Sequence, residues 1–271
     1  MRSVWHCSVL KSRAVLTNVA NDLEMVHSGH MADVTTMPPT FSAPRTARQR
    51  VRAELTNEIK DVARQHLRDE GSAGLSLRAI ARDLGMVSSA VYRYFPSRDD
   101  LLTALIVDAY LDLGVAVQHA EAPVRRSDHV GRFMAACRAT RAWALGKPQE
   151  YALIFGSPIP GYKAPQDTVD PAAMVPLVLV GILIDAVPTL RADGQAGVPM
   201  SRDVRADMKL LRETSSATAI DERTMALGVM AWTLLIGSIS FELFGHLHNV
   251  VFHNDEFFDH QMRTIANQIG L

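Results

Sequence analysis

A chain of 271 residues with 48% hydrophobic content is long enough to bury one or two packed cores, which excludes extensive disorder away from the chain ends. Its net charge of −1 neither requires nor excludes a nucleic-acid partner. The two cysteines, Cys7 and Cys137, lack metal-ligand or redox spacing, which favours a reducing cytoplasm over a disulfide-bonded secreted protein.

Residues 1–44 are predicted to form a flexible N-terminal arm. They lack sustained helical or strand periodicity, and consecutive prolines near their end cannot continue a helix. Polar residues interrupt the apolar run that a signal peptide would need. Met25, Met31 and Met37 leave two interpretations open: an ordinary arm, or a later translation start that leaves residues 1–36 outside the protein.

The first helix is predicted from about residue 47 to residue 70, and Gly71 ends it. Its apolar face consists of Val51, Leu55, Ile59, Val62, Ala63 and Leu67. Four arginines lie just before or within its first turns: Arg45, Arg48, Arg50 and Arg52. Basic arms of this kind can enter the minor groove of DNA.

Residues 76–95, SLRAIARDLGMVSSAVYRYF, are predicted to form two short amphipathic helices joined by a tight turn. The first helix has Leu77, Ile80, Ala81 and Leu84 at the i, i+3, i+4, i+7 spacing of one apolar stripe. Its N-cap is Ser76, and Gly85 ends it. In the second helix Ser88 is the predicted N-cap, and the stripe repeats at Val91, Tyr94 and Phe95. This pattern is typical of a helix-turn-helix that reads DNA, although a short helical hairpin of another kind has the same spacing.

A further helix is predicted after Pro96, with Ser97 as N-cap and Asp100 at the reciprocal capping-box position. We place a domain boundary near residues 118–125, where Pro123 follows and the charge balance turns acidic. Residues 45–100 carry 11 Lys and Arg against 8 Asp and Glu, whereas residues 101–271 carry 14 against 18. The fold class is therefore all-α, with a helix-turn-helix domain over 45–118 and a helical body over 125–271.

The body is predicted to contain six helices, over residues 128–145, 148–155, 171–187, 202–212, 222–247 and 255–269. Residues 224–241 form an uncharged segment that is long enough, by length alone, to span a membrane. Polar residues and glycines within the segment, and the absence of a flanking basic cluster, favour a helix buried in a protein core or dimer interface. A membrane helix remains the alternative.

Over roughly residues 48–115 the chain resembles the tetracycline-repressor (TetR/AcrR) family of bacterial transcriptional regulators. The matching positions are Gly71, Leu75, Ser76, Leu77, Ile80, Ala81, Gly85, Met86, Val87, Ser88, Val91, Tyr92, Tyr94, Phe95, Ser97, Leu101 and Leu102. Two positions depart from the family pattern, because Arg93 replaces a frequent histidine and Arg98 a usual lysine. Both replacements keep a cation near the DNA backbone.

Part of the body resembles the C-terminal domain of one branch of that family, which is named WHG for its Trp, His and Gly residues. The matching residues are Tyr151, Gly156, Pro158, Pro160, Gly161, Tyr162, Trp232, Gly237, Glu242, Gly245 and His246. The family resemblance implies a homodimer and a small effector molecule. We accordingly expect a cytoplasmic repressor that a small apolar ligand releases from its DNA operator.

The candidate DNA-binding residues are Arg48, Ser76, Arg78, Ser88, Ser89, Ala90, Tyr92, Arg93, Tyr94 and Arg98. The ligand-binding hypothesis names six apolar or adaptable side chains of the body, Phe133, Cys137, Met174, Val178, Trp232 and Ile236, although residue by residue ordinary core packing is the favoured explanation. Dimerisation is predicted to use the last two helices.

No catalytic residues, metal ligands or cofactors are predicted. The C-terminal histidines lack a ligand frame, because His246 and His248 face different sides of a helix. No phosphate loop or nucleophile motif is present in the sequence. The alternatives are a ligand-independent DNA-binding activator or architectural protein and, less favoured, a membrane-associated helical protein or an enzyme.

Overall fold

The structure is a computed structural model, and it describes residues 46–190 and 198–271. Within these residues the regular elements are α-helices and short 3-10 turns, with no β-strand, which confirms the predicted all-α class. The predicted N-terminal arm and Arg45 lie outside the described residues.

The helices occur in the predicted order. They are α1 (Ala47–Glu70), α2 (Leu77–Asp83), α3 (Ser88–Val91), α4 (Arg98–Glu121), α5 (His129–Gly146), α6 (Pro148–Phe155), α7 (Val169–Ala186), α8 (Arg202–Thr214), α9 (Glu222–Leu243) and α10 (Asn254–Ile269).

The contacts divide the described residues into two compact units. The small unit comprises residues 46–106 and Ser157–Ala164, and the large unit comprises residues 107–156, 165–190 and 198–271. The division falls inside α4, before the predicted boundary at 118–125, because the second half of this continuous helix packs with the large unit.

Helix ends in the small unit follow local sequence. Thr46 and Gln49 form a capping box at the start of α1, a signal that the sequence analysis missed. Gly71, with a φ of 70°, follows the last residue of α1, as predicted. The predicted capping box before α4 is confirmed: the Ser97 amide donates to Asp100 Oδ2 at 2.9 Å, and the Asp100 amide donates to Ser97 Oγ at 3.1 Å.

The core of the small unit is formed by the predicted apolar faces of its helices. Its buried residues are Ile59, Ala63, Leu67, Leu75, Leu77, Ile80, Ala81, Val91, Phe95, Leu101, Leu102, Leu105 and Ile106. The predicted face of α1 is wrong at Val51, which is 52% exposed, because burial of α1 begins only at Ile59 and the preceding turns extend past the core. His66 Nε2 lies 2.7 Å from Asp83 Oδ2 and joins α1 to α2.

The large unit is a bundle in which α5 packs on α7, α9 and α10, and α9 packs on α7, α8 and α10. A buried ion-pair network ties three segments together: the Arg132 guanidinium on α5 contacts Glu121 at the end of α4 and Asp185 of α7, the latter at 2.7 Å. Arg141 of α5 forms a buried pair with Glu242 at 2.6 Å and a second pair, at 2.7 Å, with the exposed Asp255. These pairs fix the order of the helices around α5.

Two predicted helix bounds in the body are wrong. The helix predicted to end at residue 247 ends at Leu243, because the chain turns at Gly245, whose φ is 78°, and again at Asn249, whose φ is 62°. α7 begins at Val169 and not at Pro171. A proline is tolerated in the first turn of a helix because backbone N–H groups there have no acceptor within the helix, so the absence of one breaks no hydrogen bond.

Two apolar helical segments, residues 166–189 and Glu222–Leu243, are long and apolar enough to cross a membrane by length and composition alone. In the described structure both pack on other helices of the large unit, and each buries residues against them, among them Leu183 and Leu235. A core helix of a helical bundle meets the same criterion of length and hydropathy.

Candidate nucleic-acid interface

A tight left-handed turn joins α2 to α3. Gly85 has a φ of 65°, its amide donates to the Arg82 carbonyl at 3.0 Å, and the Met86 amide donates to the Ala81 carbonyl at 2.8 Å. These two bonds are those of a Schellman motif, which requires a left-handed residue and therefore favours glycine. The predicted end of the first short helix at Gly85 is confirmed, and α2 and α3 form a helix-turn-helix.

The second short helix exposes one face. Val91 is fully buried and anchors α3, whereas Ser88, Ser89, Tyr92 and Arg93 are exposed. These four residues belong to the predicted DNA-binding set, and a fifth member, Ala90, is half-buried. The outward face of α3 is thus small and polar at its start, with an aromatic residue and a cation just beyond its end.

The prediction that Ser88 caps α3 is wrong. The N-cap is Val87, whose extended backbone has a φ of −68° and a ψ of 138°, and no side chain bonds to the free amides of the first turn. Ser88 is instead the first helical residue, so its hydroxyl lies on the exposed face. α3 therefore begins one residue earlier than predicted, and the turn before it is one residue shorter.

A residue of α1 contacts the segment just after α3. The Arg52 guanidinium lies over the Tyr94 ring, 5.1 Å from its centroid, and one of its nitrogens donates to the Arg93 carbonyl at 3.5 Å. Tyr94, predicted to contact DNA, is half-buried beneath this cation. The backbone at Arg93 is therefore held while its side chain remains exposed, and residue spacing alone carried no signal for this contact between positions 52 and 93.

The remaining candidate residues divide between solvent and internal contacts. Arg48 and Arg78 are exposed. Ser76 is half-buried and caps α2, since its hydroxyl accepts the Ala79 amide at 3.5 Å. Arg98, predicted to touch phosphate, donates instead to the Leu75 carbonyl at 3.2 Å and to the Ser72 carbonyl at 2.5 Å. Its guanidinium fastens the start of α4 to the segment before α2, which gives it a structural role.

The six predicted ligand-binding residues lie on three mutually packed helices of the large unit: Phe133 and Cys137 on α5, Met174 and Val178 on α7, and Trp232 and Ile236 on α9. Phe133 and Cys137 are buried and the other four are half-buried. Burial raises the pKa of the Cys137 thiol well above its ordinary value, so this side chain behaves as a small apolar group.

An aromatic cluster that the sequence analysis missed lies beside Trp232. The Phe155 ring is 5.1 Å from Tyr151, 6.0 Å from Tyr110 and 5.9 Å from Trp232, measured between centroids. The Tyr151 hydroxyl donates to the Ile236 carbonyl at 2.9 Å, and burial raises the pKa of this phenol while a hydrogen bond with Ser240 opposes the increase. The cluster therefore places three further aromatic rings around Trp232, one of the six predicted ligand-binding residues.

The last helices expose an unusual amount of apolar surface. A stripe on and just after α9 consists of Met230, Thr233, Gly237, Phe241 and Phe244, at successive spacings of three or four residues. Met230, Phe241 and Phe244 are 55, 56 and 47% exposed, and Phe257 on α10 is 36% exposed. Such a contiguous stripe on packed helices is typical of a protein–protein interface.

Two sequence profiles match the chain. The profile described as "Bacterial regulatory proteins, tetR family" matches residues 59–105, which contain the helix-turn-helix. The profile described as "Tetracyclin repressor-like, C-terminal domain" matches residues 133–265, which contain most of the large unit.

Individual relatives agree with the profiles. HTH-type transcriptional regulator Rv1816 of Mycobacterium tuberculosis and HTH-type transcriptional regulator Mb1846 of Mycobacterium bovis are each 41% identical over 205 residues, covering 73% of this chain and 84% of the relative. The solved structure of the regulatory protein SCO4313 has a TM-score of 0.65 at 33% identity and covers 82% of this chain and 100% of its own.

A protein of unknown function from Rhodococcus sp. RHA1 has the same fold, with a TM-score of 0.60, 22% identity and coverage of 80% of this chain and 96% of its own. The helix-turn-helix, both profiles and the identity to HTH-type regulators lead to one conclusion: the chain belongs to the tetracycline-repressor (TetR) family and is a DNA-binding transcriptional regulator.

Proposed function

We propose that this regulator is a homodimeric, cytoplasmic repressor that a small uncharged apolar ligand releases from its operator. The observation that carries the DNA-binding part is the outward face of α3, where Ser88, Ser89, Tyr92 and Arg93 are exposed around a buried anchor, Val91. The relatives are transcriptional regulators, a class whose members are generally not enzymes, so we assign the chain no catalytic role.

Base reading is assigned to the start of α3 and phosphate contact to the residues beyond it. Ser88, Ser89 and Ala90 would enter the major groove, because the first residues of a recognition helix meet base edges. Tyr92 and Arg93 would reach phosphates on either side. The other assigned contacts, Ser76, Arg78, Tyr94 and Arg48, would hold the duplex, with Arg48 reaching the adjacent minor groove.

Arg93→Ala tests the phosphate role. The operator would first be recovered by in vitro selection with the full chain, and its affinity measured over a range of salt concentrations. We expect weaker binding to every sequence and a salt slope smaller by about two for the bound dimer, since each protomer loses one phosphate contact and each contact releases about one counterion. Lys209→Ala, which removes an exposed cation from α8, is the matched control and should leave the slope unchanged. A changed base preference with an unchanged slope would contradict this role.

Dimerisation is assigned to α9 and α10, where the exposed apolar stripe supports a four-helix interface with a second copy. Gly237 at the middle of α9 is exposed and has no side chain, so it would let two helices approach closely, whereas Ser238, which was predicted to share this role, is buried within the protomer. A symmetric dimer would place two copies of α3 on two half-sites of the operator.

The effector is assigned to the region between α5, α7 and α9. None of the six lining residues named above carries a charge, which favours an apolar and uncharged ligand. The resemblance of this region to the WHG branch supports the assignment of an effector-binding domain. α4 is one continuous helix whose first part belongs to the small unit and whose second part belongs to the large unit. A structural change that a ligand causes in the large unit could therefore be transmitted along α4 to the helix-turn-helix.

The effector proposal is tested with an uncharged apolar probe that does not fluoresce, such as 1-decanol. A probe that binds this region should change the emission of Trp232, and the change should disappear in Trp232→Phe but persist in Trp143→Phe. The same probe should lower operator affinity, and operator DNA must then weaken the probe by the same factor. A probe that changes Trp232 emission and leaves operator affinity unchanged would show that this region is not the regulatory site.

A further inference from the structure

The recognition helix begins with a residue that does not cap it. Most helix starts in the described chain use a side-chain oxygen, as at Thr46, Ser76, Asp128, Ser201 and Asp221, each of which accepts a backbone amide. Val87, the N-cap of α3, makes no such bond. Valine is among the least favourable N-cap residues, so α3, a helix of only four residues, is less stable than it would be with a serine, threonine or aspartate at this position.

Val87 is also the most exposed large apolar side chain of the described small unit. It is 72% exposed, compared with 52% for Val51 and 41% for Tyr92. It does not stabilise the core, which at this end of α3 is anchored by Val91. Both costs, a missing cap and an exposed apolar surface, fall on the residue that precedes the exposed Ser88 and Ser89.

The floor of the major groove contains one kind of apolar group, the C5-methyl of thymine. The other base edges offer hydrogen-bond donors and acceptors, which suit the hydroxyls of Ser88 and Ser89 but not a valine. We propose that Val87 reads a thymine methyl group, so that each operator half-site contains a thymine at the base pair beneath it. This inference rests on the proposed operator binding and adds a specificity-determining residue to it.

Deoxyuridine substitution tests this inference, because it removes the methyl group and leaves the base pairing intact. Duplexes recovered by selection with the full-length dimer would carry deoxyuridine in place of one thymine at a time. We expect one position in each half-site to weaken binding about fourfold, the effect of one buried methyl group, and about fifteenfold when both half-sites are changed.

The dependence on Val87 is measured by a double-mutant cycle. In Val87→Ala the same thymine-to-deoxyuridine change should have almost no further effect, whereas Ser89→Ala should keep the full deoxyuridine penalty. Val87→Ser is the matched structural variant: it can cap α3 and should raise the thermal midpoint, yet it should lose the discrimination against deoxyuridine. Loss of discrimination in a more stable protein separates recognition from folding.

The outcomes distinguish a failure of this inference from a failure of the proposed operator binding on which it rests. A selected operator whose deoxyuridine penalties are the same for the wild type and Val87→Ala would overturn the role of Val87 and leave the regulator assignment standing. A protein that binds all duplexes equally would overturn the proposed operator binding itself.

Discussion

Replacing Arg132 with methionine is expected to lower the free energy of unfolding by about 3 kcal/mol, the cost of breaking a buried ion pair from one side. Arg132 is 3% exposed, and its guanidinium contacts Glu121 and Asp185. The substitution keeps the volume of the aliphatic chain but leaves the Glu121 carboxylate, which is 10% exposed, paired with Arg126 at 3.0 Å. Arg126 is 64% exposed, so water screens that pair.

Denaturant unfolding followed by circular dichroism measures this effect. In the double variant Glu121→Leu/Arg132→Met more than half of the lost stability should return, since the unpaired charge is gone. The matched surface control is Arg138→Ala: this arginine is 52% exposed and pairs with Asp259, so its loss should cost less than about 1 kcal/mol. Equal losses for Arg132→Met and Arg138→Ala would show that the buried network does not stabilise the large unit.

Gly237→Glu is expected to convert the proposed dimer into monomers, raising its dissociation constant by about 100-fold or more, because an unpaired charge would be buried between two copies of α9. The folding of each chain should survive, since a Cβ at Gly237 meets no atom within 4 Å in the protomer and the position is exposed. Operator affinity should fall with the dimer, because one helix-turn-helix would meet one half-site alone.

Sedimentation velocity and circular dichroism measured together test this. Gln118→Glu adds the same charge at an exposed position of α4, outside α9 and α10, and should leave the dimer intact. Gly237→Ala adds one methyl group without charge and should affect the dimer far less. A Gly237→Glu protein that remains dimeric would contradict the assignment of α9 to the interface.

The family and the DNA-binding function were accessible from sequence because their signals are local. Gly85 predicts its left-handed turn, Ser97 and Asp100 predict their capping box, and the spacing of Leu77, Ile80 and Ala81 predicts one buried face. Each of these features depends on residues within one or two helical turns of each other. Local chemistry therefore determined the existence, type and order of the helices.

The functional roles of individual arginines depended on contacts between distant positions. Arg98 was predicted as a phosphate contact, but its guanidinium donates to the Ser72 and Leu75 carbonyls more than twenty positions earlier in the chain. Arg52, on α1, holds the backbone at Arg93. A guanidinium has five donors and no fixed sequence distance to its acceptors, so its partner is decided by packing.

The sequence by itself determined the all-α class and the helix-turn-helix, because apolar periodicity and capping residues encode them along the chain. The family followed from the resemblance of the motif residues over 48–115. Only the tertiary structure showed that Val87 is an exposed N-cap, that Val51 lies past the core and that Arg132 is buried between Glu121 and Asp185. These properties depend on which surfaces meet when distant helices pack. The residue type alone does not tell whether neighbouring helices bury an apolar or charged side chain or leave it exposed to solvent.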